Sequence, residues 1–179
     1  DGRAASVDDV EMYQAYIEAR EMWGTPLQLR VGRQEIALGS QWLVGVNDSS
    51  SLFTGLSFDA VRIYYVGDVA NVTVLWAKLA ERFGDFADND VDLYGIYGSY
   101  TGIEDIALEA YWLFVREDEA PAGFVGGLGG TDLDLHTFGL RAAGEYGAFD
   151  FEAEVALQTG DVDRPEIFFW RDNVLDYSE

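Results

Sequence analysis

Stretches of about 9–11 residues in which apolar and polar side chains alternate run along nearly the whole chain, and the connections between them are short and long in turn. A repeat of two is the signature of a β-strand with two unlike faces. The pattern is clearest at 149–158, where Phe149, Phe151, Ala153, Val155 and Leu157 stand against Asp150, Glu152, Glu154 and Gln158. It recurs at 27–39, 58–66, 71–82, 91–101, 107–116 and 135–146. In 10–20, Tyr13, Ala15, Ile17 and Ala19 alternate with Gln14, Tyr16, Glu18 and Arg20. The Glu, Ala, Gln and Met of that stretch also suit a helix, and the persistence of alternation in its neighbours favours a strand. About eight strands result.

Short connections fall around Gly24, Gly67, Gly102 and Gly147, and long ones at 40–57, 83–90 and 117–131. Gly67-Asp68 is a tight-turn signal, and Gly102-Ile103-Glu104-Asp105 reads as another short link. A soluble sandwich has no need of such regularity, whereas outer-membrane barrels keep short turns on the periplasmic side and longer loops outside. The expected fold is therefore all-β: an antiparallel transmembrane β-barrel, complete or partial, as a single domain over 1–179 with three long extracellular loops. Trp42, Leu43, Val44, Leu52 and Phe53 make the first of these too apolar for an idle solvent loop, so it is expected to pack onto the rest or narrow the mouth.

Alternation alone does not say which face is wet. In a soluble sheet the apolar face packs on a core; in a membrane barrel it meets lipid and the polar face lines a lumen. A soluble or surface β-sandwich that binds carbohydrate through exposed aromatics is thus the alternative. It would extract without detergent, whereas a wall exposing Tyr13, Ile17, Leu29, Val61, Phe151, Val155 and Leu157 to lipid would not. Trp23, Tyr65, Phe83, Tyr100, Phe114 and Tyr146 near strand ends fit interfacial girdles.

The balance of charge narrows the partners. With 11 Lys and Arg against 33 Asp and Glu, a net charge of −22 excludes an ordinary nucleic-acid platform. No uninterrupted apolar run reaches the roughly 20 residues of a membrane helix. The absence of cysteine removes disulfides, thiolate metal sites and thiol nucleophiles. Asp1-Gly2-Arg3 opens without an apolar leader, as expected of a processed or internal stretch.

Arg20, Arg30, Arg62 and Arg141 lie on the face opposite the aliphatic residues, where they would give a barrel lumen basic character. Guanidinium groups make planar, bidentate contacts with carboxylates, so a line of them lets an anionic chain exchange partners step by step. The competing reading has arginines paired across strands with Glu18, Glu35, Asp59, Glu152 and Glu154, holding the wall together.

Other signals carry less. Asp88, Asp90 and Asp92 have the opening spacing of a calcium loop, but Leu93 and Ser99 stand where its glycine and bidentate glutamate belong. The glycines of 123–130 lack the following Lys-Ser/Thr of a phosphate loop, and His136 is the only histidine. No metal, cofactor or catalytic group is expected, and the chain does not read as an enzyme.

Several segments resemble the alginate-export family of bacterial outer-membrane porins. They are Leu-Arg-Val-Gly-Arg-Gln-Glu-Ile-Ala-Leu-Gly at 29–39, Trp-Leu-Val-Gly at 42–45, Ser-Phe-Asp-Ala-Val-Arg at 57–62, His-Thr-Phe-Gly-Leu-Arg at 136–141 and Gly-Ala-Phe-Asp-Phe at 147–151. The resemblance covers about residues 10–162. It implies a monomeric antiparallel barrel, larger than these eight strands, in the outer membrane, its lipid and lipopolysaccharide being partners. The barrel would passively pass a hydrophilic solute, small or polymeric, such as an anionic polysaccharide. It also adds Arg33 and Glu35 to Arg20, Arg30, Arg62 and Arg141 as candidates for a charged, solute-binding lumen.

Overall fold

The computed structural model describes residues 12–46, 56–81, 90–117 and 132–163. Within them eight strands follow one another: β1 (Ala15–Ala19), β2 (Leu27–Gln34), β3 (Phe58–Val66), β4 (Ala70–Glu81), β5 (Asp90–Ile103), β6 (Ile106–Glu117), β7 (Asp132–Tyr146) and β8 (Phe149–Asp163). They form one sheet in sequence order, every neighbouring pair antiparallel. β1 pairs only with β2 and β8 only with β7, so the sheet is open among the described residues.

Local chemistry explains the turns. Between β1 and β2 the chain makes a 3-10 turn at Met22–Gly24, and the Thr25 hydroxyl donates to the Met22 carbonyl at 2.8 Å. β7 and β8 are joined by Gly147 and Ala148, with Gly147 at φ +66°, the left-handed region glycine enters without a Cβ penalty. The β5–β6 link is tighter than its sequence suggests. Gly102 and Ile103 belong to β5, which leaves Glu104 and Asp105 as the turn, after a register shift between Tyr100 and Ile103. That bulge absorbs the extra residues the sequence pattern assigns to the connection.

Two other boundaries differ from expectation. Strand structure at 10–20 is confined to Ala15–Ala19, with residues 10 and 11 outside the described set. β2 stops at Gln34, short of the 39 expected, while its ladder with β3 runs unbroken through Arg33↔Asp59. Of the three long connections, 83–89 and 118–131 lie outside the described residues, as do 47–55 of the first.

The first connection explains where the core sits. After Gln34 the chain folds back over one face of the sheet, and Ile36, Leu38 and Val44 bury themselves against Ala60, Leu75, Ala77, Leu93, Tyr111 and Leu113. Each such side chain contributes about 2 kcal/mol on burial. Leu38 N–H donates to the Val44 carbonyl at 3.0 Å and closes the segment on itself. The expected packing of this loop thus holds for Val44, while Trp42 and Leu43 stay exposed.

The opposite face has no such cover among the described residues. In register across the sheet it presents Val61, Trp76, Tyr94, Phe114 and His136 in one row, Ile63, Val74, Ile96, Trp112, Phe138 and Leu157 in the next, then Tyr65, Val72, Ala110, Leu140 and Val155. Cross-strand rows of β-branched and aromatic residues suit a pleated surface. Ile17 is 82% exposed, Val155 64% and Leu157 59%, which no water-facing sheet of this size would tolerate as a continuous field.

Candidate functional site

The covered face carries Arg30, Arg62 and Arg141 with their carboxylate and tyrosine partners. Beyond the apolar patch under 35–46, its rows turn polar toward the short-turn end, because the residues of that parity change from Ala60, Ala77 and Leu93 to Arg62, Tyr64, Thr73, Tyr97, Glu109 and Arg141.

On β1–β3, Arg30 and Arg62 stand directly opposite each other in the ladder. Like charges in that relation repel. Arg30 is relieved by Glu18, its cross-strand partner on β1, whose Oε2 accepts from Arg30 Nε at 2.6 Å; Glu18 also takes Arg20. Arg62, 9% exposed, has no carboxylate partner among the described residues. Its Nη1 donates to the Glu35 backbone carbonyl at 3.0 Å, and its Nε meets no acceptor among the described residues. Between the two guanidiniums lies Tyr64, with Arg62 4.5 Å and Arg30 5.8 Å from its ring centre, and Tyr16 flanks Arg30 at 4.3 Å. Aromatic faces thus take over part of the compensation that carboxylates would otherwise provide.

On β6–β8 the balance is reversed. Arg141 donates from Nη1 to Glu109 at 2.6 Å and from Nε to Glu152 at 2.9 Å. Nearby, Glu154 accepts from the Tyr111 hydroxyl at 2.8 Å and from the Ser40 hydroxyl at 2.6 Å, which fastens the covering segment to β8. Tyr97 and Tyr111 stack with ring centres 6.2 Å apart. The Tyr111 ring can lie flat across β7 only because residue 139 is glycine: a Cβ there would fall 1.9 Å from its Cζ.

The six residues singled out from sequence are therefore not one cluster. Arg20, Arg30 and Arg62 share the covered face with Arg141, but Arg141 sits across the sheet in its own carboxylate clamp. Glu35 lies between, its carbonyl on Arg62 and its carboxylate on the Tyr13 hydroxyl. Arg33 is the exception: odd in β2, it shares the apolar face with Val31 and holds Asp59 through two hydrogen bonds of 3.0 and 2.6 Å. Its place at the frayed end of the alternation hid this. Glu109, Tyr111 and Gly139 escaped the sequence reading because the β6–β7 register is set across a long connection, which no local signal fixes, and Tyr97 and Ser40 because they meet these residues only in the fold.

An open antiparallel sheet with one bare apolar face and one charged face occupied by its own chain is the wall of a transmembrane β-barrel. The chain belongs to the alginate export family, whose model matches residues 1–171. That family is one of outer-membrane β-barrels with an export role, a transport family and not an enzyme family. No curated protein and no solved structure matches the chain.

Proposed function

We propose that this chain forms a channel wall in the bacterial outer membrane and passively passes a hydrophilic solute of the anionic saccharide class along the Tyr16–Arg30–Tyr64–Arg62 surface. The carrying observation is the opposed pair Arg30↔Arg62, a like-charge contact that costs stability and that one carboxylate only partly offsets. A carboxylated solute restores the missing negative charge, and the tyrosine faces offer flat surfaces to sugar rings. In this reading Arg20 extends the basic patch outward, Glu35 positions Arg62, and Arg141 holds the wall. The apolar face meets outer-membrane lipid and lipopolysaccharide, the long connections face outside, and the barrel is a monomer.

The test is single-channel conductance of the full-length protein in a planar bilayer, with the reversal potential read under a salt gradient. Arg30→Gln with Arg62→Gln should lower the anion-to-cation permeability ratio about fivefold, which is ~1 kcal/mol of lost attraction. An unchanged ratio removes these arginines from the conduction path. A protein that is soluble without detergent and conducts nothing sinks the channel and favours the carbohydrate-binding sandwich.

A further inference from the structure

Directly beyond the aromatic row of the bare face, toward the long connections, the outward position of each strand from β2 to β7 is charged. The ladder register reads Arg33↔Asp59, Asp59↔Lys78, Lys78↔Asp92, Asp92↔Arg116 and Arg116↔Asp134. Six strands, β2 to β7, thus contribute one residue each with alternating signs; the alternation ends at β1, where Ala15 stands opposite Arg33, and at β8, where the ladder pairs Asp134 with Asp161. Two contacts fix the row in place. Arg33 holds Asp59 with both ends of its guanidinium, and the Trp76 indole N–H donates to Asp92 at 3.1 Å, tying the charged row to the aromatic row beneath it. That lower row is itself continuous, with ring centres 5.9 Å apart for Tyr94 and Phe114 and 4.4 Å for Phe114 and His136.

We propose that this ladder is the rim at which the wall meets the lipid headgroup layer, so that it sets the depth of the wall in the membrane; the inference rests on the membrane-wall reading above. A row of outward Arg, Lys and Asp cannot sit in hydrocarbon, where one Arg or Lys at mid-depth costs about 2–4 kcal/mol. From β2 to β7 alternation makes the row electrically neutral, so each charge there has an opposite neighbour on an adjoining strand while the headgroups and their ions solvate it from outside.

The dimensions agree. On β6 the outward residues from Ile106 to Phe114 are Ile, Leu, Ala, Trp and Phe, eight residue steps, or about 27 Å along the strand and ~21 Å along the membrane normal at a tilt of ~40°. A barrel's apolar band is about 25 Å tall. The Arg116 row caps it on one side and the Glu104-Asp105 turn on the other.

The chain contains no cysteine, so single cysteines report position without background. Full-length protein is reconstituted in phosphatidylcholine vesicles with a membrane-impermeant maleimide on both sides. Lys78→Cys and Arg116→Cys should label; Val74→Cys, Ile96→Cys and Leu140→Cys should be protected. A second measurement replaces Lys78, Asp92 and Arg116 together by Leu and compares insertion across vesicles of increasing acyl-chain length. One added apolar row should move the preferred bilayer about 5 Å thicker, two residues at ~3.4 Å under the same tilt. Protection of positions 78 and 116 equal to that of 74 and 96 overturns the ladder and leaves the barrel standing, as does an unmoved preference for bilayer thickness. Equal labelling at all five positions overturns the membrane wall itself and the channel with it. Should the triple variant fail to fold, the single cysteines decide.

Discussion

The two ends of the charged face solve opposite problems with the same residue type. On β1–β3, Arg20, Arg30 and Arg62 answer to the single carboxylate Glu18, and tyrosine rings fill the deficit. On β6–β8 a single Arg141 answers to Glu109 and Glu152, with Glu154 beside them held by two hydroxyls. An arginine surrounded by acids is committed to the wall; an arginine opposed to another arginine keeps attraction to spare. The covered face is therefore basic on one flank, although the chain as a whole carries −22.

The sharpest way to break this contrast is to remove one arginine from each end. Arg141→Met leaves Glu109 and Glu152, the former 12% exposed, without their cation and should cost about 2 kcal/mol. Arg62→Met removes a like-charge contact and keeps most of the packing, so the change should stay within about 1 kcal/mol of zero. Urea unfolding of the vesicle-inserted protein, followed by tryptophan fluorescence, compares them. Equal losses would mean that both arginines are structural and would leave the flanks indistinguishable.

A second substitution probes what the acidic flank needs for its shape. Gly139→Val places a branched side chain where the Tyr111 ring lies, and overpacking of this kind costs about 1–3 kcal/mol. Gly147→Ala should cost about 1 kcal/mol or less, through its positive φ alone, since nothing crowds that position. The same unfolding assay ranks the two. A harmless Gly139→Val would show that the Tyr111–Glu154 hydrogen bond does not hold the ring in place.

On the basic flank, Tyr64→Leu removes the ring between two guanidiniums and leaves both charges. Each cation–π contact is worth about 0.5–1 kcal/mol, so block of the channel current by uronate oligomers should weaken about fivefold, with open-channel conductance little changed. If block is unaffected, the ring only spaces the arginines and does not touch the solute.

How much of this was legible beforehand follows from which strand pairs share a short turn. Asp59↔Lys78 and Asp92↔Arg116 lie within hairpins whose turns fix the register, so two of the five opposite-charge pairings of the ladder could be counted from the sequence. Arg33↔Asp59, Lys78↔Asp92 and Arg116↔Asp134 cross long connections, where chain length says nothing about register. The strands and their faces were readable for the same reason that the sites were not. Alternation is written within one strand, while Arg30↔Arg62 and the Arg141 clamp are made between strands that meet only in the fold. The covering segment shows a third kind of difficulty: its alternation continues past Gln34 and imitates strand, yet Ile36 and Leu38 serve as knobs on the sheet beneath.

The most local effect concerns the point where, among the described residues, a side chain ties that segment to the acidic flank. The Ser40 hydroxyl donates to Glu154, which keeps a second donor in Tyr111, so Ser40→Ala leaves no charge stranded and should cost about 1 kcal/mol. Ile36, Leu38 and Val44 remain buried, and the segment should stay seated with its tip loosened. Amide exchange reads this locally. The Gln41 amide, bonded to the Leu38 carbonyl at 2.9 Å, should exchange several-fold faster, whereas the Leu113 and Thr137 amides within the ladder should not change. Faster exchange throughout 36–44 would mean that the hydroxyl, and not the apolar side chains, holds the segment down, and the acidic flank would then anchor the loop as well as the wall.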